Sequence, residues 1–217
     1  MLRRAAVAVL FVVLMPATVQ AFDHHHHHSG SGGDGGGGCG SSSKSDSSDT
    51  PSVSTPPSGT LQRVFVTSRR YSGALGSVKA VDTYCQQSAT EHHIAGVFKA
   101  WISDASTNAY DRTADVGPWY TMHGDVAFAS KADLRAAPRT DLLDEGGNRP
   151  TGLGTTGAWS GSSPNGGATG HDCDGWTNAS ADATATMGSA LGLDTAWGGD
   201  DVPSKCNALA PLICFQQ

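Results

Sequence analysis

Hydrophobic and polar residues are patterned differently before and after residue 61. Residues 22–60 are rich in His, Gly, Ser, Thr and Pro and contain almost nothing apolar. Such a segment cannot bury enough surface to offset the entropy lost on folding, so we predict a disordered linker. Residues 61–217 contain short apolar runs separated by Gly, Pro and Ser, which predict one ordered domain of 157 residues.

The first half of this domain predicts strands around one helix. The β-branched and aromatic run Arg63–Ser68 is typical of a strand. Ser77 is a candidate N-cap, because apolar residues then recur on one helical face. That face holds Val78, Val81, Cys85 and Ala89. Gly96–Ser103 alternates like a half-buried strand, and Pro118–Tyr120 and Asp125–Phe128 predict two short edge strands.

The first 21 residues are typical of a secretory signal peptide. Arg3 and Arg4 precede the apolar run Ala5–Met15, and Val19–Ala21 provides a small-residue cleavage site. The run is 11 residues long, whereas a membrane span needs about 20. We therefore expect an exported protein, secreted or displayed at the cell surface, with no transmembrane segment after cleavage. The alternative is a retained N-terminal anchor.

The charge of the chain disfavours nucleic-acid and heparin partners. The formal net charge is −6, and residues 61–217 hold 11 Lys and Arg against 16 Asp and Glu. A polyanion would require a basic face. We expect an extracellular partner of another kind.

Four cysteines lie in the predicted domain: Cys85, Cys173, Cys206 and Cys214. They can form two disulfides in three ways. Four thiols ligating zinc are the alternative, but no Cys-x2-Cys pair is present and export favours disulfides. Cys39, in the linker, is expected to be a free or intermolecular thiol. We do not expect a lipid anchor there, because seventeen residues separate it from Ala21.

The C-terminal third carries a family resemblance. Ala158–Gly166 joins a short aromatic strand to a Gly/Ser/Pro/Asn loop, and Cys206 and Cys214 form a closing Cys-x7-Cys with an apolar stretch before its second cysteine. This order of features resembles the endostatin-like branch of C-type-lectin-like domains, found at the C-termini of some collagens and in bacterial surface lipoproteins. The resemblance covers roughly Arg63–Phe215.

The resemblance implies both a fold and a function. The fold is an α+β, mixed domain closed by two nested disulfides, Cys85–Cys214 outside and Cys173–Cys206 inside. The function is a binding or adhesion module that recognises an extracellular protein or glycan through the loops of residues 161–206. The sequence contains no Gly-x-Ser-x-Gly, His-Glu-x-x-His or phosphate-binding glycine motif, so we do not expect an enzyme.

Calcium is not required in this interpretation. Sugar-binding C-type lectins place a Glu-Pro-Asn or Gln-Pro-Asp segment and a Trp-Asn-Asp segment around their calcium ion. The matching positions here are Ser163–Asn165 and Trp197–Asp201. Asn165, Asp200 and Asp201 offer oxygen ligands, but Ser163 replaces the residue that would chelate both metal and sugar. The alternative is that Pro164-Asn165-Gly166 is simply a tight turn.

The tryptophans are expected mostly in the core, with two facing a ligand near the long loop. The candidate ligand-binding residues are therefore Ser163, Asn165, Trp176, Trp197, Asp200 and Asp201.

A second function is suggested by the linker. Cleavage after Ala21 would expose an N-terminus that begins Phe22-Asp23-His24. A free amine, two backbone amides and a histidine in third position make a square-planar site for Cu(II) or Ni(II), and further imidazoles suit zinc. The alternative function is thus an extracytoplasmic Cu/Ni/Zn-binding protein, unless the tract is merely a solvated segment. The candidate metal ligands are His24, His25, His26, His27 and His28.

Overall fold

The computed structural model describes residues 61–151, 157–200 and 202–217. The signal peptide, the linker, Cys39 and the histidine run lie outside the described residues. The described chain is a mixed α+β domain with one long helix and two β-sheets. The strands are β1 (Gln62–Val66), β2 (Phe98–Ala100), β3 (Trp119–Tyr120), β4 (Val126–Phe128), β5 (Gly157–Trp159), β6 (Thr184–Ser189), β7 (Pro203–Lys205) and β8 (Ile213–Gln216). The helical segments are α1 (Val78–Glu91), the single turn α2 (Ala109–Arg112) and 3₁₀ turns at Ala132–Arg135 and Thr195–Trp197.

The larger sheet brings the first and last strands together. Its order is β2-β8-β1-β3-β4, with β8 antiparallel to both neighbours and β1 parallel to β3. The predicted strands around residues 63–68, 118–120 and 125–128 are confirmed. One detail is corrected, because β3 lies inside the sheet rather than at an edge. The half-buried alternation predicted around β2 is found in the strand itself, where Phe98 and Ala100 are buried and Lys99 is only partly buried.

Helix α1 forms as its apolar spacing predicts. The Ser77 side chain accepts a hydrogen bond from the backbone N–H of Ala80 at 3.1 Å, which satisfies one of the free donors at the helix N-terminus. The four predicted face residues are all buried. Their burial holds α1 against the sheet and places Cys85 next to strand β8.

The two disulfides have the nested pairing that the resemblance implies. Cys85 in α1 is bonded to Cys214 in β8, and Cys173 is bonded to Cys206. The first joins residues 129 positions apart, and the second joins residues 33 positions apart within that loop. The zinc-thiolate alternative is therefore wrong. Disulfides of this kind are typical of proteins that fold in an oxidising compartment. No helix in the described part of the chain has the length and apolarity needed to cross a membrane.

The core has two parts, separated by β1 and β8. Side chains alternate across each strand, so Phe65 and Cys214 pack towards α1, whereas Val64, Ile213 and Phe215 pack on the opposite side. Trp159 and Trp176 belong to the part that faces α1, and Trp101, Trp119 and Trp197 belong to the other part.

All five tryptophans are fully buried. Each indole N–H donates to a backbone carbonyl at 2.7–3.0 Å. For Trp101, Trp119, Trp159, Trp176 and Trp197 the acceptors are the carbonyls of Gly198, Gln216, Tyr71, Ser103 and Ala136 respectively. A buried indole N–H needs such a partner. Since the acceptors lie mostly in connecting segments, the tryptophans fix loops as well as filling the core.

Candidate functional site

The region that sequence analysis assigned to ligand binding contains a surface groove of about 410 Å³. It lies on the three-stranded sheet, whose order is β5-β6-β7. Its lining residues come from all three strands and from the segments on either side of β7: Gly157, Met187, Gly188, Ser189, Asp200, Ser204, Ala208 and Leu209. A volume of this size accommodates a small ligand or a few side chains of a larger partner.

Two glycines in the groove have different roles. A Cβ on Gly188 would collide with the carbonyl oxygen of Trp197, so glycine at this position lets β6 approach the 3₁₀ turn. A Cβ on Gly157 would lie 2.8 Å from Met187 Sδ, which is the flexible end of a side chain that already lines the groove. A larger residue at 157 would therefore fill the groove without moving the backbone.

Asp200 is the predicted site residue that the structure places in the groove. Its backbone N–H donates to the carbonyl of Met187 at 2.8 Å, which ties it to β6. Its Oδ1 accepts the N–H of Val202 at 3.2 Å, and no described residue donates to Oδ2. Asp200 thus presents a half-buried carboxylate to the groove. Asp201 lies outside the described residues.

Two large apolar side chains are exposed beside this carboxylate. Val202 is 71% exposed and Leu209 is 60% exposed, although most other large apolar residues of the domain are buried. Leu209 forms part of the groove wall. The groove therefore combines an acidic group with exposed apolar surface, a combination suited to recognition by a larger partner.

Ser163 and Asn165 form a turn and do not line the groove. Asn165 Oδ1 accepts the Ser163 hydroxyl at 2.5 Å and the N–H of Gly167 at 3.2 Å. Gly166 has a φ of +80°, and a Cβ there would lie 2.8 Å from the ring of Trp101. The tight-turn alternative for this segment is therefore correct.

The predicted calcium ligand Asn165 is engaged within this turn. Its side-chain oxygen already has two donors within the turn. Among residues 61–151, 157–200 and 202–217, no three His, Cys, Asp or Glu side chains are grouped so that they could hold a metal ion. The segments on either side of the predicted site do approach each other, because a Cβ on Gly199 would collide with the carbonyl of Ser162.

Trp176 and Trp197 require a correction. Both were expected to face a ligand, but both are fully buried and donate to backbone carbonyls. Trp197 packs against Trp101 and Phe128, with ring centroids 4.8 and 4.7 Å away. Neither ring has a free face for a ligand. Their contribution is to hold the segments that carry Asp200 and Cys173.

The inner disulfide lies beside an unusual turn. Cys173, Asp174, Gly175 and Trp176 all have φ between 54° and 67°, and the N–H of Trp176 donates to the carbonyl of Asp172 as in a left-handed helical turn. Such a turn costs about 1–2 kcal/mol for each non-glycine residue. The disulfide, the buried indole of Trp176 and the carboxylate of Asp172, which accepts the N–H of Gly175 at 3.0 Å, hold it in place.

A buried carboxylate outside the groove was not predicted. Glu145 accepts the backbone N–H of Ser68 at 2.7 Å, the Ser68 hydroxyl at 2.6 Å and the Ser88 hydroxyl at 2.9 Å. His92 Nδ1 lies 3.9 Å from Glu145 and 3.0 Å from the Ser88 carbonyl. Burial raises the pKa of the neighbouring Tyr71 phenol, and the charge of Glu145 adds to the increase. Both serine hydroxyls donate to the carboxylate, so neither is arranged as a nucleophile activated by histidine. This cluster fastens α1 to the loop at residue 145.

No protein-family model matches this sequence, and no curated protein matches it.

Proposed function

We propose that this chain is an exported binding module with an endostatin-like, C-type-lectin-like domain, displayed outside the cell on the linker of residues 22–60. The module recognises an extracellular protein or glycan through the groove on the three-stranded sheet. Binding does not depend on calcium.

Three features of the described domain support the family interpretation. The first and last strands pair at the centre of the larger sheet. The outer disulfide joins α1 to β8, and the inner disulfide closes the region of the second sheet. The two disulfides have the nested order that the resemblance implies.

The observation that carries the proposed function is the groove itself. Its position overlaps the loop region of residues 161–206 from which the resemblance predicts binding, and Leu209, just beyond that region, remains 60% exposed on the groove wall. A partner that covers this side chain would remove apolar surface from water, which is favourable. Gly188 also lines the groove, and a Cβ there would collide with the carbonyl oxygen of Trp197.

The test is a binding screen of the exported chain against arrays of glycans and of extracellular-matrix proteins. The Gly157→Leu variant fills the groove, and the Leu209→Gln variant removes its apolar wall. We expect at least one partner whose binding is weakened by both variants, with the far-UV circular dichroism of each variant unchanged. Absence of any partner, or binding indifferent to both variants, would contradict the proposed function.

A second candidate function has one specific observation in its favour, the sequence Phe22-Asp23-His24 at the expected mature N-terminus. We propose that this terminus binds Cu(II) or Ni(II) through its amine, two backbone amides and the imidazole of His24. Adding one alanine before Phe22 moves the histidine out of third position while keeping all five histidines. Titration followed by visible absorption should show a square-planar spectrum only without the added alanine. If both chains give the same spectrum, the histidines bind metal only as a solvated tract, and the proposed N-terminal site is wrong.

A further inference from the structure

The charged residues of the domain are divided unequally along the chain. Residues 61–151 contain ten Lys and Arg and ten Asp and Glu, whereas residues 157–217 contain six Asp and only one basic residue, Lys205. The whole acidic excess of the domain therefore belongs to the segment that forms the second sheet and its groove.

The two segments also differ in how their charges are paired. All five ion pairs among the described residues join positions between 69 and 149. None of the five described aspartates in 157–217 forms an ion pair with a described residue. Asp172 is buried with both oxygens hydrogen-bonded to backbone N–H groups, but Asp200 lines the groove and accepts one hydrogen bond from a described residue, at Oδ1. The groove therefore carries the negative charge of Asp200, which forms no ion pair with a described residue.

The aromatic residues of the same segment distinguish a protein partner from a glycan. Every aromatic residue between 157 and 217 is buried: Trp159, Trp176, Trp197 and Phe215. The groove consequently has no ring on which a sugar could stack. Sulfated or sialylated glycans would also be repelled by the carboxylate of Asp200. What the groove offers is a carboxylate at Asp200 and aliphatic surface at Leu209 and Met187.

We infer that the groove binds a cationic segment of an extracellular protein, with a Lys or Arg side chain at Asp200 and a neighbouring apolar side chain against Leu209. Charge complementarity supports this occupant, because an opposite charge at an interface increases the association rate and selects among partners. The inference rests on the proposed function and specifies the class of partner for the same groove.

The test uses a random-peptide phage library selected on the exported chain and counter-selected on the Gly157→Leu variant. We expect the selected peptides to combine Lys or Arg with a large apolar residue. Synthetic copies are then titrated by fluorescence anisotropy at several salt concentrations. Affinity should fall as salt rises, because part of the attraction is between partly exposed charges.

Asp200→Asn is the diagnostic variant, because asparagine keeps the acceptor for the N–H of Val202 and removes only the charge. It should weaken peptide binding about tenfold, the effect of losing one charge-assisted hydrogen bond. The matched control is Asp125→Asn, which removes the same charge from an exposed turn in the other half of the domain. Leu209→Gln changes an exposed side chain and gives a second groove variant that does not depend on Gly157→Leu folding correctly.

The outcomes separate this inference from the proposed function. Selected peptides that are neutral or acidic, or equal affinities for the Asp200→Asn and Asp125→Asn variants, would overturn the inference. Glycans that bind the chain and are lost on groove filling, with no peptide selected, would leave the binding module standing and overturn the cationic partner. If neither peptides nor glycans bind, both proposals are wrong.

Discussion

Removal of the outer disulfide gives a quantitative test of how the domain is stabilised. Replacing both Cys85 and Cys214 with alanine opens a loop whose ends are 129 positions apart, whereas replacing Cys173 and Cys206 opens one of 33. In the chain-entropy model these closures stabilise the fold by about 5 and about 4 kcal/mol respectively. The difference depends only on the ratio of loop lengths and is about 1 kcal/mol.

Losses of this size are large relative to the whole stability of a domain, which is about 5–15 kcal/mol. The assay is urea unfolding of the exported chain followed by tryptophan fluorescence, which should change strongly because all five indoles are buried. With a urea dependence of about 2 kcal/mol per molar, the outer-pair variant should lower the midpoint by about 2.5 M. A midpoint shift below about 0.5 M for that variant, or a larger loss for the inner pair, would refute the loop-closure reasoning.

Three further outcomes follow from individual contacts. Glu145→Ala should destabilise the domain by about 3–5 kcal/mol because it leaves three hydrogen-bond donors unpaired. Glu145→Gln retains one acceptor oxygen and should destabilise the domain by about 1–2 kcal/mol. Equal losses of stability in urea unfolding would contradict this reasoning. Gly188→Ala should cost about 3 kcal/mol because its Cβ collides with the Trp197 carbonyl, whereas Gly167→Ala, where a Cβ meets only ordinary contacts, should be nearly neutral. Since Asn165 Oδ1 is used within its turn, EDTA should leave groove binding unchanged in anisotropy titrations, and a calcium-dependent affinity would show this reasoning to be wrong.

The parts of the fold that the sequence predicts are those set by local spacing. Helix α1 follows from a cap at Ser77 and an apolar face of period 3.6, and both signals lie within one segment. The disulfide pairing was available only through the resemblance, because spacing alone left three arrangements open. Strand β6 has no clear signal in the sequence, because Thr-Ala-Thr-Met-Gly-Ser is poor in large apolar residues. The strand is ordered by its pairing with β5 and β7.

The candidate site was predicted only in part, for reasons that lie in long-range packing. Asp200 was identified, and it does line the groove. Trp197 was assigned to the ligand surface because it lies near the long loop and aromatic side chains often anchor ligands, but its burial depends on Trp101 and Phe128, which are far away in sequence. Glu145 is surrounded by glycines and polar residues that predict an exposed loop, and its burial results from serines more than fifty positions away.

Hydrogen–deuterium exchange of the exported chain, with and without a bound partner from the screens, tests the central claim most directly. The groove is formed by residues of β6, β7 and the segment that follows β7. The account predicts that the partner slows exchange in residues 184–189 and 203–209, and that this protection disappears in the Gly157→Leu variant. Protection confined to residues 61–151 or to the linker of residues 22–60 would contradict the account and move the binding surface elsewhere on the chain.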